Sequence, residues 1–213
     1  MLEATLRWRQ TMGLPNLDAW KDIVAVENST GKMYVRGYDR MGHVVVYMKP
    51  CNENTNQHDG NIKHLVYHME RAVACMKPET NRKLCLVIDY NGYSLSNAPP
   101  MKTSREVLSI LQDHYPERLY RAYCIRPPYV FYGFYSIISP FIDPVTKDKI
   151  RMLTNADMNN PHNKLFEDID RDILEPCVGG HDSRPYDSSV YLNAPFNQCF
   201  LTILNNSSTS EAK

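Results

Sequence analysis

Two spacings of apolar residues divide most of the chain into predicted strands and helices. Short runs rich in β-branched and aromatic residues predict strands at residues 23–26, 33–35, 44–48, 84–88, 120–125 and, more briefly, 152–153. Apolar residues three or four positions apart predict helices at 2–12, 61–76, 102–114 and 129–141, with a short helix from Pro144. Strand and helix alternate through the middle of the chain, which predicts an α/β layered domain with a mostly parallel sheet.

Breaks in this pattern predict three parts. Gly13 ends the first helical stretch, so residues 1–13 form a helical piece ahead of the main domain. Residues 14–185 hold the alternating strands and helices and form the main domain. Beyond Pro185 the chain is polar, and we predict an irregular extension over 186–213 that ends in a disordered tail from residue 205.

The most informative stretch is an almost wholly apolar run from Tyr129 to Ile142. Polar residues at 115–118 precede it, and another polar group at 143–149 follows it. Spacing alone favours an ordinary buried helix, but the prolines on either side also suit a lid that is apolar on both of its faces. A greasy segment with polar groups at both ends can hold one lipid, with the acyl chains along the apolar part and the headgroup at the polar ends.

Charge and composition exclude several classes of partner. The chain has 24 Lys and Arg against 24 Asp and Glu in 213 residues, so its net charge is zero and a nucleic-acid partner is not favoured. The chain opens without a signal-peptide pattern, and its apolar runs fall short of the roughly 18 residues that a membrane span needs. Six cysteines without a C-x-x-C pair predict buried free thiols in a reducing compartment. We therefore expect a cytoplasmic protein.

Signatures of catalysis and of metal binding are weak. The sequence contains no phosphate-binding glycine loop, and Ser94 and Ser96 lack the second glycine of a nucleophile elbow. His64 and His68 stand one helical turn apart, but a polar helix face explains them better than a metal site does. We expect no catalytic residue, no cofactor and no metal, and hence a protein that is not an enzyme.

Six motifs follow one another along the chain: Leu6-Arg7-Trp8-Arg9, Tyr38-Asp39-Arg40-Met41-Gly42, residues 86–92, Tyr115-Pro116-Glu117-Arg118, residues 140–146 and Gly179-Gly180. Over roughly residues 2–182 the chain thereby resembles the Sec14-like lipid-transfer family, the CRAL-TRIO domain, and the stretch 115–150 is its most specific part. The resemblance implies a mostly parallel sheet as a floor, flanking helices, and a helical gate over an apolar pocket. It also implies that the helical bundle preceding the domain in this family is largely absent, with residues 1–13 as its remnant.

The resemblance implies a ligand site as well. In the phosphatidylinositol-binding members a glutamate, a threonine and a lysine serve the headgroup, and these match Glu117, Thr146 and Lys149, with Arg118 beside them. Glu117 and Arg118 could instead simply end a helix, and Lys149 could be a solvent-exposed side chain. The gate falls at about residues 129–150. Expected gate and pocket-lining residues are Tyr129, Phe131, Phe134, Tyr135, Ile138, Phe141, Leu84 and Leu86.

One departure from the family pattern narrows the expected ligand. Members that bind phosphatidylcholine carry a serine and a threonine where this chain has Leu84 and Leu86. We therefore expect a monomeric carrier of phosphatidylinositol, with transient contact to a membrane surface, and we do not expect phosphatidylcholine exchange. Two alternatives stay open: a carrier of a small apolar ligand such as a tocopherol, retinoid or sterol, and a lipid-sensing module that regulates a partner protein.

Overall fold

A five-stranded sheet organises residues 2–210, which are the residues that the structure, a computed structural model, describes. Its strands are β1 (Met33–Tyr38), β2 (Val44–Met48), β3 (Leu84–Asp89), β4 (Leu119–Ile125) and β5 (Ile150–Leu153). The strands lie side by side in chain order; β1 runs antiparallel to β2, and every other neighbouring pair is parallel. The predicted α/β class and mostly parallel sheet are confirmed.

Helices connect the strands and cover the sheet. They are α1 (Leu2–Met12), α2 (Lys21–Asn28), α3 (His58–Cys75), α4 (Met101–His114), α5 (Tyr129–Ile138), α6 (Pro144–Lys147), α7 (Asn155–Asn159), α8 (Lys164–Asp168), α9 (Ser188–Asn193) and α10 (Phe200–Ser210). Helix α1 buries none of its own residues and is joined to the domain by Trp8, which stacks on His114 with ring centroids 4.0 Å apart. The division of the chain at residues 13 and 185 stays a prediction.

Strand register assigns alternate side chains to the two faces of the sheet. Leu84, Leu86 and Ile88 of β3 point to one face, here called the front, and Cys85 and Val87 point to the back. Helices α3, α4 and α5 lie on the front. The back packs against residues 164–182, whose apolar side chains are fully buried at Leu165, Ile169, Leu174 and Val178.

A buried cation fastens this back layer to β1. The Arg36 guanidinium, wholly inaccessible to solvent, donates to Glu175 (3.1 Å), to Asp182 (2.8 Å) and to the carbonyl oxygen of Ile173 (2.5 Å). Burial opposes ionisation of Glu175, yet hydrogen bonds from Lys49 and Tyr34 outweigh it and lower the pKa of the carboxyl. Breaking such a buried pair from one side typically destabilises a protein by about 3–5 kcal/mol.

The turn between β1 and β2 is closed by a second buried cluster. Asp39 Oδ1 accepts from the backbone N–H groups of Met41 (2.9 Å) and His43 (2.7 Å). Asp39 Oδ2 lies 2.8 Å from His43 Nδ1 and 3.3 Å from the Cys85 sulfur. The expectation of no metal ligand did not foresee three such groups within 4.8 Å of one another. Hydrogen bonds within the turn, and one from Cys85 of β3 to Asp39, account for the contacts that all three make.

Two sequence-based expectations are wrong in their secondary structure. Residues 23–26, predicted as a strand, lie in helix α2, because Trp20, Val24 and Asn28 are spaced to bury one helical face. The extension after residue 185, predicted to be irregular with a disordered tail, forms α9 and α10 up to Ser210. Residues 211–213 of that tail lie outside the described part of the chain.

The C-terminal helices form because they cover the open edge of β1. Tyr191 and Phe200 are fully buried there, and the guanidinium of Arg71 lies 3.8 Å from the centre of the Tyr191 ring. The backbone N–H of Val35 donates to the Tyr191 hydroxyl at 3.0 Å. An edge strand needs such cover for its unpaired backbone groups, and the polar composition of the extension gave no sign of it.

The structure also bears on the expectations for the cysteines, for His64 and His68, and for a membrane span. All six cysteines are free, but Cys51 and Cys177 are only half-buried. His64 and His68 do not form a solvated helix face; both are buried, and burial lowers the pKa of His68 to about 3. Among the helices of residues 2–210, none has the length and apolar character needed to cross a membrane.

The Tyr191 hydroxyl provides a test of the edge cover. Replacing Tyr191 with Phe leaves the buried N–H of Val35 without its acceptor, and we expect the free energy of unfolding to fall by about 1–3 kcal/mol. Urea denaturation measures the change. Tyr129→Phe is the matched control, since that side chain is 96% exposed and should unfold at the wild-type midpoint. Equal midpoints for both variants would contradict the role assigned to Tyr191.

Candidate ligand-binding site

A cavity of about 600 Å³ lies between the front of the sheet, helices α3 and α4, and the segment that holds α5 and α6. Most of its wall is aliphatic or aromatic. The apolar lining includes Leu84, Leu86 and Ile88 from the sheet, Leu65 and Met69 from α3, Val107, Leu108 and Leu111 from α4, and Phe131, Phe134, Tyr135, Ile138 and Ile142 from the covering segment.

The cavity leaves part of strand β3 exposed. This strand lies in the middle of the sheet, yet Leu86 and Ile88 are only half-buried, whereas Val87 between them is fully buried. A central strand of a parallel sheet is normally covered on both faces. Here the front face meets empty space that an apolar ligand can fill.

Helix α5 covers the cavity with one face and presents the other to solvent. Phe131, Phe134, Tyr135 and Ile138 line the cavity, as the resemblance implied. Tyr129 and Phe141 do not. Tyr129 begins the helix and points to solvent, and Phe141 follows its end, half exposed. Tyr129 and Phe141 thus belong to the expected gate segment but not to the cavity wall, and the gate assignment of these residues stays a prediction.

Two contacts join this covering segment to helix α4. The backbone N–H of Asp143 donates to Gln112 Oε1 at 3.1 Å. The Arg105 guanidinium lies 5.2 Å from the centre of the Phe141 ring, a cation–π distance. Sequence reasoning missed both α4 residues, because their partners are about 30 positions away along the chain. The covering segment is thus held by a few weak polar contacts as well as by its apolar face.

The four residues expected at the headgroup all line one end of the cavity, here called the headgroup end. Glu117 occupies a left-handed backbone conformation, with φ of 58°. A glutamate rarely adopts that conformation, and such strain concentrates at functional sites. Glu117 Oε2 lies 3.8 Å from Lys149 Nζ, and the Glu117 side chain is 80% exposed. Arg118 donates to the carbonyl oxygen of Arg82 at 3.2 Å.

Thr146 and Lys149 are placed by the short helix α6. Pro144 begins the helix and Asp143 caps it, its carboxylate accepting from the backbone N–H of Thr146 at 3.1 Å. Hydrogen bonds from the side chain and then the backbone of Thr146 lower the pKa of Asp143. The backbone N–H of Lys149 in turn donates to the Thr146 carbonyl oxygen (3.1 Å), so the two side chains are fixed relative to each other.

The headgroup end is supported from behind by helix α3. Glu70 accepts a hydrogen bond from the Tyr115 hydroxyl at 2.7 Å and a two-pronged pair from Arg9 at 2.7 and 2.8 Å. Tyr115 is buried and lines the cavity just before the strained Glu117. This arrangement links helix α1, helix α3 and the headgroup end through a single carboxylate.

The far end of the cavity is also polar, which sequence reasoning missed entirely. Lys32, Glu53, Asn61 and His64 line it. These side chains come from a turn, a loop and the beginning of a helix, and nothing in their spacing marks them as neighbours. No motif could have pointed to them.

Comparison with known proteins identifies the architecture. The CRAL/TRIO domain matches residues 28–180. The CRAL-TRIO domain-containing protein C23B6.04c of Schizosaccharomyces pombe is 39% identical over 161 residues, covering 76% of this chain and 16% of that protein. Phosphatidylinositol transfer protein PDR17 of Saccharomyces cerevisiae is 36% identical over 158 residues, covering 70% of this chain and 45% of that protein.

A solved structure shows the same fold. The crystal structure of Sfh5 matches with a TM-score of 0.62 at 20% identity, over 85% of this chain and 66% of that one. A sheet floor with an apolar cavity under a helical cover is thus the fold of a known class of domain. The chain belongs to the CRAL/TRIO domain family. It spans less than half of the length of the two relatives above.

The two faces of β3 offer a test of the cavity. Leu86→Phe adds volume into empty space and should change the free energy of unfolding by no more than about 0.5 kcal/mol. Val87→Phe, one residue away, adds volume to a packed face and should destabilise by about 1–3 kcal/mol. Chemical denaturation of the two variants checks this contrast. A large loss for Leu86→Phe would mean that the front face is packed against protein.

Proposed function

We propose that the protein carries one phospholipid, of the phosphatidylinositol type, and exchanges it at membrane surfaces. The observation that carries the proposal is a single apolar cavity with Glu117, Thr146 and Lys149 at one end. Relatives named phosphatidylinositol transfer protein and SEC14 cytosolic factor support it. Burial of acyl chains would supply the affinity, at about 0.8 kcal/mol per methylene before ordering costs.

The headgroup end has the chemistry that an inositol phosphate needs. Lys149 supplies a positive charge for the phosphate, and the Thr146 hydroxyl can donate to one of its oxygens. The Glu117 carboxylate accepts hydrogen bonds from ring hydroxyls. Its side chain is extended into solvent, so it can turn toward a bound ring at little expense. Leu84 and Leu86, which also line the cavity, give a choline phosphate no polar partner, which supports selectivity against phosphatidylcholine.

The covering segment has the character of a membrane-responsive gate. Its outer face exposes Tyr129, Tyr132, Ile137 and Phe141, and its inner face lines the cavity. A helix that is apolar on both faces can leave the cavity when its outer face enters a lipid interface. The gate would then open where ligand can be exchanged, and the protein would visit the membrane transiently.

We further propose that the protein performs no chemistry on its ligand. The lining is mainly hydrocarbon, and burial raises the pKa of the Cys124 thiol in the cavity wall to about 12, which keeps this nucleophile protonated. A carrier of a small apolar ligand is the second candidate, favoured by the apolar floor of Leu84, Leu86 and Ile88. Mass spectrometry of the lipid extracted from the purified protein separates the two.

The headgroup assignment is tested by Lys149→Ala and Glu117→Ala, each of which should abolish transfer of labelled phosphatidylinositol between vesicles. Neither should unfold the protein, because an exposed ion pair contributes at most about 1 kcal/mol. Lys147→Ala is the matched control, since Lys147 ends helix α6 two residues before Lys149 but does not line the cavity. Normal transfer by both site variants would show that the headgroup binds elsewhere.

The gate surface is tested by Ile137→Asp. The side chain of Ile137 is 53% exposed on the outer face, so a carboxylate there should not disturb the fold. We expect the rate of lipid transfer to fall about tenfold, because the apolar face can no longer enter the bilayer favourably, while lipid already bound is retained. Val26→Asp places the same charge at a 60% exposed position on α2 and should transfer normally. Equal rates for the two variants would argue against this gate surface.

A further inference from the structure

The cavity has a second polar end that the headgroup does not use, here called the inner polar site and formed by Lys32, Glu53 and Asn61. The geometry of helix α3 gives the distance between the inner polar site and the headgroup end. Asn61 lies in the first turn of that helix, and Glu70, which binds Tyr115 at the headgroup end, follows nine residues later. At 1.5 Å of rise per residue, the two ends are about 14 Å apart.

Lys32 is saturated by its neighbours and offers nothing further to a ligand. Its ammonium binds the Glu27 carboxylate, Glu53 Oε1 at 2.6 Å and Asn61 Oδ1 at 3.2 Å, which uses all three of its N–H groups. Gly60 makes room for this cluster, since a Cβ there would lie 2.2 Å from Glu27 Oε1. One lysine against two glutamates leaves the cluster with a formal charge of −1.

Asn61 is the group with unused capacity. Its oxygen is taken by Lys32, but its Nδ2 is buried and has no hydrogen-bond partner among the described residues. A buried donor without a partner is costly, so it indicates a missing acceptor. That donor belongs to a side chain that lines the cavity, next to the carboxylate of Glu53.

Among the remaining polar groups at this end, Lys49 also lines the cavity, but its ammonium binds the Glu175 carboxylate. His64 is held neutral because burial, and then the charges of Lys32 and His68, lower its pKa well below the usual value. Its Nε2 lies 3.0 Å from Asn28 Oδ1. Thr55 donates to Glu27 at 2.8 Å, so that carboxylate has a second donor as well as Lys32. The environment therefore disfavours an anionic group and accepts a neutral one.

We propose that the inner polar site binds a neutral hydroxyl group at the far end of the apolar ligand. Such a hydroxyl would accept from Asn61 Nδ2, after the side chain turns this nitrogen from its buried position toward the cavity, and would donate to the Glu53 carboxylate. The ligand class is a lipid whose hydrocarbon tail carries a hydroxyl at or near its end. The inference rests on the proposed function in one respect, namely that the ligand lies along the cavity with its own headgroup near Lys149.

The test is a competition between two matched acids. The full chain is incubated with equal amounts of hexadecanoic acid and ω-hydroxyhexadecanoic acid, and native mass spectrometry gives the ratio of bound hydroxy acid to bound plain acid. The same ratio is measured for Asn61→Leu. We expect it to fall about tenfold in that variant, which is the effect of one lost hydrogen bond. Comparing the two ratios cancels the difference in solubility of the acids in water.

Two further variants serve as controls for this competition. Asn159→Leu replaces an exposed asparagine far from the cavity and should keep the wild-type ratio. If Asn61→Leu does not fold, Asn61→Met removes the same amide and is measured instead. An unchanged ratio in the folded variant means that the amide of Asn61 meets water rather than ligand, and it overturns the proposal. Failure of the wild-type protein to bind either acid overturns it too.

These measurements also distinguish failure of the inner polar site from failure of the headgroup assignment. If the Asn61 ratio falls while Lys149→Ala transfers phosphatidylinositol normally, the inner polar site stands and the headgroup assignment fails. If transfer depends on Lys149 but the ratio is unchanged, the headgroup assignment stands and the inner polar site fails.

Discussion

The sheet of this protein packs against protein on its back, whereas the front face of its central strand β3 borders a cavity, and the remaining structure follows from that asymmetry. A sheet face that borders a cavity gains little stability from packing there. On the back, by contrast, the strands pack against the buried apolar residues of 164–182. Arg36 fixes that layer at its edge by binding Glu175, Asp182 and a backbone carbonyl in a solvent-free position.

The register of the strands decides which side chains of β3 face the cavity. Since side chains alternate, a slip of one residue in β3 would exchange Leu86 for Val87 and turn the packed face toward the ligand. The parallel pairing of β3 with β2 and β4 fixes the register, and the Asp39 cluster anchors the turn where β2 begins. Backbone pairing of β3 and the turn between β1 and β2 therefore determine which side chains form the cavity wall.

The parts of the structure that sequence predicts best are those with a local signal. All five strands and the helices α1, α3, α4 and α5 follow from periodicity, and the polar motifs on either side of Tyr129 and Ile142 identify one end of the cavity. The failures share a cause. Three of residues 23–26 are β-branched, yet this segment lies in a helix with one buried face, and α9 looks polar although Tyr191 covers a strand edge. Both depend on partners distant in the chain, which composition cannot show. The same reason hid Lys32, Glu53 and Asn61.

A buried ion cluster at one end of an apolar cavity needs a physical reason, because desolvation of three charged groups is rarely favourable on its own. Hydrocarbon would have closed that end more stably. In this cluster Lys32 pairs with both Glu27 and Glu53, which leaves a formal charge of −1, and a glycine at position 60 is needed to admit it. Yet one buried donor, Nδ2 of Asn61, has no hydrogen-bond partner among the described residues, and Asn61 lines the cavity. A purely structural cluster gains nothing from that shortfall, whereas a site that discriminates between ligands gains selectivity, since a tail without a polar end would leave the donor unpaired.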